Sequence, residues 1–333
     1  MSQPRRKTLF VPVIALLLLS PISAELLTCS SPPLSFFSPF GLTILVGLYG
    51  SGAIIVRECA RRWGKGWTSI VLMGAAYGII EEGLTAKSFF DPNWVDLGIL
   101  GVYGRWLGVN WVWSEWLTIF HTTVSITAPI ILAELMFPKE KDASWVGNRA
   151  LAFFGVVFVA VVMIGFLWLT PFYPNIIQVA GCLAAVAILA YLAKRRPSKS
   201  VAGDQVRGRP LKFFALSLLM MFSFFLIFFA GPYFIAIPFV LMLIGGGAAF
   251  IFWRIYARWG ASGLSDRQKF GVASGLLALW IALTPIQERN LSNPDNPAGM
   301  IYVGLAFLVY LVLLGRWVYR RTKQASIPPA PSQ

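Results

Sequence analysis

The chain has 333 residues, of which 57% are hydrophobic and only 13% are charged, and its mean hydropathy is +0.70. Soluble domains carry about 25% charged residues, so this composition excludes a soluble globular fold. A net charge of +14 would suggest a nucleic-acid partner for a soluble protein. Here the basic residues form short clusters between long apolar runs. That pattern indicates orientation in a lipid bilayer, with the bilayer as partner and no nucleic acid.

Ten apolar stretches predict an all-α, polytopic bundle of transmembrane helices. A span needs about 20 residues, so ten spans use nearly the whole chain. We expect a single integral membrane domain at 1–324 and a disordered polar tail at 325–333. The predicted spans are 9–27, 40–56, 67–86, 109–137, 150–170, 176–193, 213–230, 233–253, 270–285 and 300–318.

The first stretch has two interpretations, because it follows a basic segment and ends near Ala24. It can be a cleaved signal peptide or an uncleaved first span. Ile22 stands where a signal peptide has a small residue, so we favour the uncleaved span.

The basic residues predict how the helices are oriented. With the N-terminus inside, only Lys87, Arg105 and Arg289 of the 28 basic residues fall outside. Cytoplasmic loops carry the excess of lysine and arginine, so both termini are predicted to be cytoplasmic. A plasma (inner) membrane fits this multi-pass arrangement best.

Two adjacent acids interrupt the apolar run of the third predicted span, and a histidine interrupts that of the fourth. These are Glu81, Glu82 and His121, the only histidine of the chain. At the rise of an α-helix, Glu82 lies about 22 Å above the inner end of its span and His121 about 24 Å above the end of the next. The three residues are therefore predicted to share one level in the outer part of the membrane. Ionisable groups at such depths usually have a function.

Helical periodicity predicts which neighbours face this site. In the fourth span Thr118 and His121 belong to one polar stripe, while Glu115 lies nearer the outer surface. In the third span Gly78 shares a face with Glu82, which predicts close approach of another helix. Tyr77 lies beside Glu81 on the adjoining face.

The loop between these two spans, residues 87–108, is long for a connection between adjacent helices. We expect it to form a lid over the site or an amphipathic segment in the interface. Lys87 and Arg105 are the predicted charge partners of the acids beneath it, with a supporting or substrate-binding role.

The spacing of Glu81-Glu82 and His121 resembles the first two motifs of the CPBP family, which contains the CAAX-type prenyl proteases and bacteriocin-processing-like membrane proteins. The resemblance covers about 45 residues. Ala86 stands where the family has an arginine, Leu117 where it has a phenylalanine, and the further histidine of its third motif is absent. The resemblance implies a membrane-embedded peptidase, in which Glu81 or Glu82 activates water and His121 supports a metal or the oxyanion.

Three functional hypotheses follow from these residues. The first is an intramembrane hydrolase of that type, with Glu82 and His121 as ligands of a divalent metal cofactor. The second is a small-solute or proton-coupled transporter. Ten spans, a possible internal repeat, and an eighth span kinked or broken at Pro238 and the glycine run 245–247 would suit it. The third is a non-catalytic scaffold, in which glutamate, histidine and threonine merely pin helices together.

Overall fold

The computed structural model of the protein describes residues 8–196, 206–290 and 295–324. These ranges are almost entirely helical and contain one two-stranded hairpin. Eight helices of the described residues are long and apolar enough to cross a membrane, and Phe10–Leu26 is a shorter apolar helix. The predicted all-α, polytopic fold class is therefore confirmed. The predicted tail lies outside the described residues.

Ten long helices overlap the ten predicted spans, and they are numbered here in chain order. They are α1 Phe10–Leu26, α2 Pro39–Arg62, α3 67–85, α4 Trp111–Met136, α5 Asn148–Trp168, α6 Ile176–Arg195, α7 Pro210–Phe234, α8 Pro238–Ser262, α9 Asp266–Gln287 and α10 Met300–Gln324. One short helix, Pro33–Phe36, links α1 to α2. The loop between α3 and α4 holds a 3-10 turn at Gly98–Gly101 and the antiparallel strands β1 Arg105–Trp106 and β2 Val109–Asn110. That loop is a compact folded segment.

The eighth helix differs from its prediction in two ways. It starts at Pro238, whereas the predicted span starts at 233, because Gly231–Phe234 still belongs to the end of α7. Proline suits the first turn of a helix, where its missing N–H has no partner to lose. The expected kink at Pro238 is therefore wrong. The helix also continues through the glycine run at 245–247.

Helix α4 is the centre of the bundle. In its apolar stretch 83% of the residues are buried, against 11% for each of α5, α6 and α8. It packs against α1, α2, α3, α8 and α9. The three exposed helices present large apolar side chains outward, such as Phe153, Ile188 and Phe250. Such surfaces suit lipid, so α4 is shielded from the bilayer by the other helices.

Ion pairs fix the end of α2 to the end of α4 on the basic side of the bundle. Glu134 of α4 accepts from Arg57 at 3.1 Å and from Arg61 at 2.6 Å, and Glu58 pairs with Arg57 at 2.9 Å. The Arg57 side chain is fully buried, with its guanidinium carbon 3.4 Å from the ring centre of Trp145. Buried charges are tolerated only when they are paired in this way. The network holds α2 and α4 in register and thereby positions Tyr49 of α2 relative to His121 of α4.

Candidate functional site

Four helices of the bundle change from α to π geometry, and each does so at its polar residues. The segments are Ile22–Leu26 with Glu25, Val46–Gly50 with Tyr49, Glu81–Thr85 with Glu81 and Glu82, and His121–Thr127 with His121 and Ser125. A fifth π segment, Leu226–Ala230, contains no ionisable residue. π-Helical turns are rare and occur frequently at functional sites. Because four helices have such a turn at their polar residues, this region of the bundle is the candidate functional site.

The imidazole of His121 is held between the two glutamates of α3. Its Nε2 makes a hydrogen bond with Glu82 Oε1 at 2.9 Å, and its Nδ1 makes one with Ser125 Oγ at 2.9 Å. Nδ1 also lies 2.9 Å from Glu81 Oε2, which is within ion-pair distance, but that oxygen has no hydrogen-bond partner. All these side chains are buried. Adjacent residues of an α-helix point about 100° apart, which led us to expect the two acids at the edges of a site. The structure brings both acids to opposite nitrogens of one ring.

Tyr49 extends this contact toward α1. Its hydroxyl contacts both Glu81 Oε1 and Glu25 Oε1, and Ser31 donates to the other oxygen of Glu25 at 2.6 Å. A phenol has one proton and can donate to only one carboxylate. The second contact needs a further proton, carried by one of the two carboxyl groups. The geometry around Tyr49 therefore has a place for one more proton than the phenol supplies.

The contact continues from Glu82 toward the loop after α3. Ser88 donates to Glu82 Oε2, and Trp113 Nε1 donates to the Ser88 hydroxyl at 3.0 Å. The result is one continuous set of polar contacts across four helices, called here the polar chain. Its members are Ser31, Glu25, Tyr49, Glu81, His121, Glu82, Ser88 and Trp113.

Helices α3 and α4 approach closely beside the polar chain, as the small residues of α3 predicted. A Cβ atom placed on Gly78 would lie 2.9 Å from His121 Cβ, and one on Gly74 would lie 3.2 Å from Thr122 Cα. Tyr77 packs next to this contact, with its ring 6.1 Å from the imidazole of His121. Its hydroxyl is buried and has no hydrogen-bond partner. Glycine at position 78 thus allows His121 to reach the carboxylates.

Lys87 and Arg105 lie outside the polar chain and bind backbone oxygens instead. Lys87 Nζ donates to the carbonyl oxygens of Phe166 at 2.9 Å and Thr170 at 3.0 Å, at the end of α5. Arg105 Nη1 donates to Phe90 O at 2.8 Å within its own loop. Burial lowers the pKa of both Lys87 and Arg105, and the carboxylate of Asp91 opposes the shift in each case. Both residues fix the loop between α3 and α4 in place beside the site.

Glu115 and Thr118 face another part of the bundle. Thr118 donates to Ser114 O at 2.7 Å and lines a cavity beside α8. Glu115 packs against α8, where a Cβ on Gly245 would lie 3.0 Å from Glu115 Oε1. Its other oxygen is buried without a hydrogen-bond partner. Among the described residues, neither side chain makes a hydrogen bond to a side chain of the polar chain.

Five members of the polar chain escaped the candidate set drawn from the sequence: Glu25, Ser31, Tyr49, Ser88 and Trp113. Glu25 lies near a predicted span end, where an acid is commonly interfacial. Tyr49 lies in the glycine-rich run at 47–52, which offers a signal of close packing but none of chemistry. Only the packing of α1 and α2 within the bundle brings Glu25 and Tyr49 together with Glu81.

The buried acids and the histidine can also be considered as metal ligands. One ligand atom from each of Glu81, Glu82 and His121 lies within 4.8 Å of the others. A metal bound by a ring nitrogen takes its other ligands on that side of the ring. Here the carboxylates lie at different ring nitrogens, so a metal would require one glutamate to turn.

Comparison with known proteins places the chain in a family. Residues 14–331 match an uncharacterized membrane protein family. The chain belongs to that family. An uncharacterized protein of Archaeoglobus fulgidus is 27% identical over 123 residues, a match that spans 37% of each chain. No solved structure matches the chain.

The family assignment corrects one expectation from the sequence. The match over nearly the whole chain is to this family and not to the CPBP proteins, so the resemblance of Glu81-Glu82 and His121 to CPBP motifs is wrong. The similarity was confined to about 45 residues. Buried charges in membrane spans are often paired with one another. Two acids and a histidine within a stretch of about 45 residues therefore do not define a family.

Proposed function

We propose that the protein is a proton-coupled membrane transporter, and that the polar chain is its proton-binding site. The observation that carries this proposal is the position of His121 between Glu81 and Glu82. An imidazolium can donate from both ring nitrogens, and its positive charge lies within ion-pair distance of both carboxylates, so a protonated ring offsets charge on each of them. Loss of that proton leaves one carboxylate facing a bare nitrogen. Proton binding at His121 thereby changes the interaction between α4 and the two carboxylates of α3.

The charge of the polar chain supports the same conclusion. Its members include three carboxyl groups and one imidazole, all inside the bundle. With every acid ionised and the ring protonated, two negative charges would remain without a partner. Buried charges of that kind are costly, so the set favours the uptake of cations. The shared proton at Tyr49 adds a second place where one can bind.

A pH step applied to proteoliposomes on a solid-supported membrane tests this function. Protons that enter the polar chain from the outer face move charge through part of the membrane. We expect a transient current in the wild type that Glu82→Gln reduces at least tenfold. Glu140→Gln is the matched control, because Glu140 lies in the loop after α4 and makes its hydrogen bonds there through its backbone N–H and carbonyl groups. A wild-type protein without a transient, or an unchanged transient in Glu82→Gln, would overturn the proposal.

A divalent metal ion is the second candidate ligand, favoured by the mutual proximity of the three ligand atoms. Metal analysis of protein purified under metal-replete conditions separates the two. A stoichiometric ion that is lost in His121→Ala would favour a metal centre. A metal-free protein with a pH-driven transient would favour proton binding.

A further inference from the structure

A second site of the bundle is a cavity between α3, α4, α7, α8 and α9. Its volume is about 370 Å³, and its lining is almost entirely aliphatic and aromatic. Four threonines of α4 line it, and three of their hydroxyls donate to a carbonyl oxygen of the preceding turn: Thr118 to Ser114, Thr122 to Thr118 and Thr123 to Ile119. Those hydroxyls are satisfied within the helix. The cavity is therefore suited to an apolar occupant, and its size is typical of ligand pockets.

The cavity opens sideways at α8. Phe250 lines it and is 62% exposed, on a helix whose apolar stretch is only 11% buried. In a bilayer this side of the bundle faces lipid hydrocarbon. A hydrocarbon chain can enter from there without passing through water.

Cations surround the end of the cavity on the basic side of the bundle. Lys269 lines it directly, together with Trp67 and Trp253. The guanidinium carbon of Arg61 lies 5.6 Å from the Trp67 ring centre, and that of Arg196 lies 5.5 Å from the Trp253 ring centre. Tryptophans are enriched at the membrane interface, and basic clusters next to it attract anionic headgroups. One end of the cavity thus matches a negative headgroup, and the remainder matches a hydrocarbon chain.

We propose that the cavity binds one hydrocarbon chain of an anionic membrane lipid, whose headgroup is held by Lys269 and Arg196, since Arg61 is already paired with Glu134. Thr127 also lines the cavity, and its buried hydroxyl has no hydrogen-bond partner. An ester oxygen of the lipid would supply that partner. The site is independent of the polar chain, from which the close contact of Gly74 and Gly78 with α4 separates it.

Native mass spectrometry of the full chain in detergent tests the proposal with two probes of equal chain length, phosphatidylglycerol and phosphatidylcholine. We expect one tightly held phosphatidylglycerol per protein, bound at least tenfold better than phosphatidylcholine. Ala249→Phe fills the cavity and should reduce this binding at least tenfold. The matched control is Ala180→Phe on the exposed face of α6, which should bind as the wild type does. Lys269→Gln should retain a bound lipid but reduce the preference for phosphatidylglycerol several-fold.

Equal binding of the two lipids by the wild type would overturn the proposal. So would unchanged phosphatidylglycerol binding in a folded Ala249→Phe protein, since annular lipid would then explain the signal. If Ala249→Phe does not fold, Ala75→Phe fills the same cavity from α3 and is held to the same tenfold loss.

Discussion

The pairing of His121 with Glu82 can be measured by a double-mutant cycle. The single changes are Glu82→Gln and His121→Gln, and the Nε2–Oε1 distance of 2.9 Å makes the two residues direct partners. His121→Gln leaves buried carboxylates without their cation, which typically costs about 3–5 kcal/mol of stability. Glu82→Gln removes one charge-assisted hydrogen bond while Glu81 still pairs with the ring, and should cost about 1.5–3 kcal/mol. The double variant should lose less than the sum of the two.

The assay is reversible unfolding in mixed micelles, with the free energy of unfolding compared among the four proteins. We expect a coupling energy of about 1.5–3 kcal/mol, because residues in direct contact are not additive. Glu140→Gln, the surface control, should change the free energy of unfolding by no more than about 0.5 kcal/mol. If the single effects of Glu82→Gln and His121→Gln added up fully, the two residues would not stabilise each other, and the reasoning would fail.

Three further changes test other parts of the structure. Tyr49→Phe removes the hydroxyl between Glu25 and Glu81, so two carboxyl groups lose a hydrogen-bond partner. The free energy of unfolding should fall by about 1–3 kcal/mol in the same assay. An unchanged free energy of unfolding would contradict the bridging role of Tyr49. Gly78→Ala places a methyl group against His121 and should lower the midpoint temperature of unfolding. The control is Gly155→Ala on α5, where nothing lies within 4 Å of the added methyl group, and its midpoint should be equal to or higher than that of the wild type. The reverse order of the two midpoints would refute the close packing of α3 and α4. A cysteine at Asn296 should react with a membrane-impermeant thiol reagent added outside intact cells, and labelling only from the cytoplasmic side would refute the predicted orientation.

The fold class could be predicted from the sequence because apolar length alone specifies a membrane helix. The start of α8 could not, since the run from Ile227 to Leu243 is apolar throughout and only the backbone turn before Pro238 ends α7. Hydropathy therefore does not show where α7 ends and α8 begins. The glycines of α3, by contrast, predicted the close approach of another helix, because small residues let two helix backbones come near each other. That helix is α4.

The candidate site was predicted in part, and its limits have a physical cause. Glu81, Glu82 and His121 stood out because ionisable residues are rare in spans. Glu25 and Tyr49 did not, because their contact with Glu81 depends on the packing of α1 and α2 and on π turns that no local pattern signals. Lys87 was expected to pair with the acids but lies at the carbonyl oxygens of α5. A charged side chain in a loop can bind backbone carbonyl oxygens instead of a carboxylate. Sequence spacing does not show which of these two partners it binds.

The most direct test of the polar chain is nitrogen-15 NMR of the histidine in bilayers. His121 is the only histidine of the chain, so one pair of ring signals reports on the site without assignment. We predict that at neutral pH both ring nitrogens carry a proton and that both signals shift in Glu82→Gln. A neutral ring with one bare nitrogen, unchanged by Glu82→Gln, would contradict the claim that His121 is a proton-binding group held between two carboxylates.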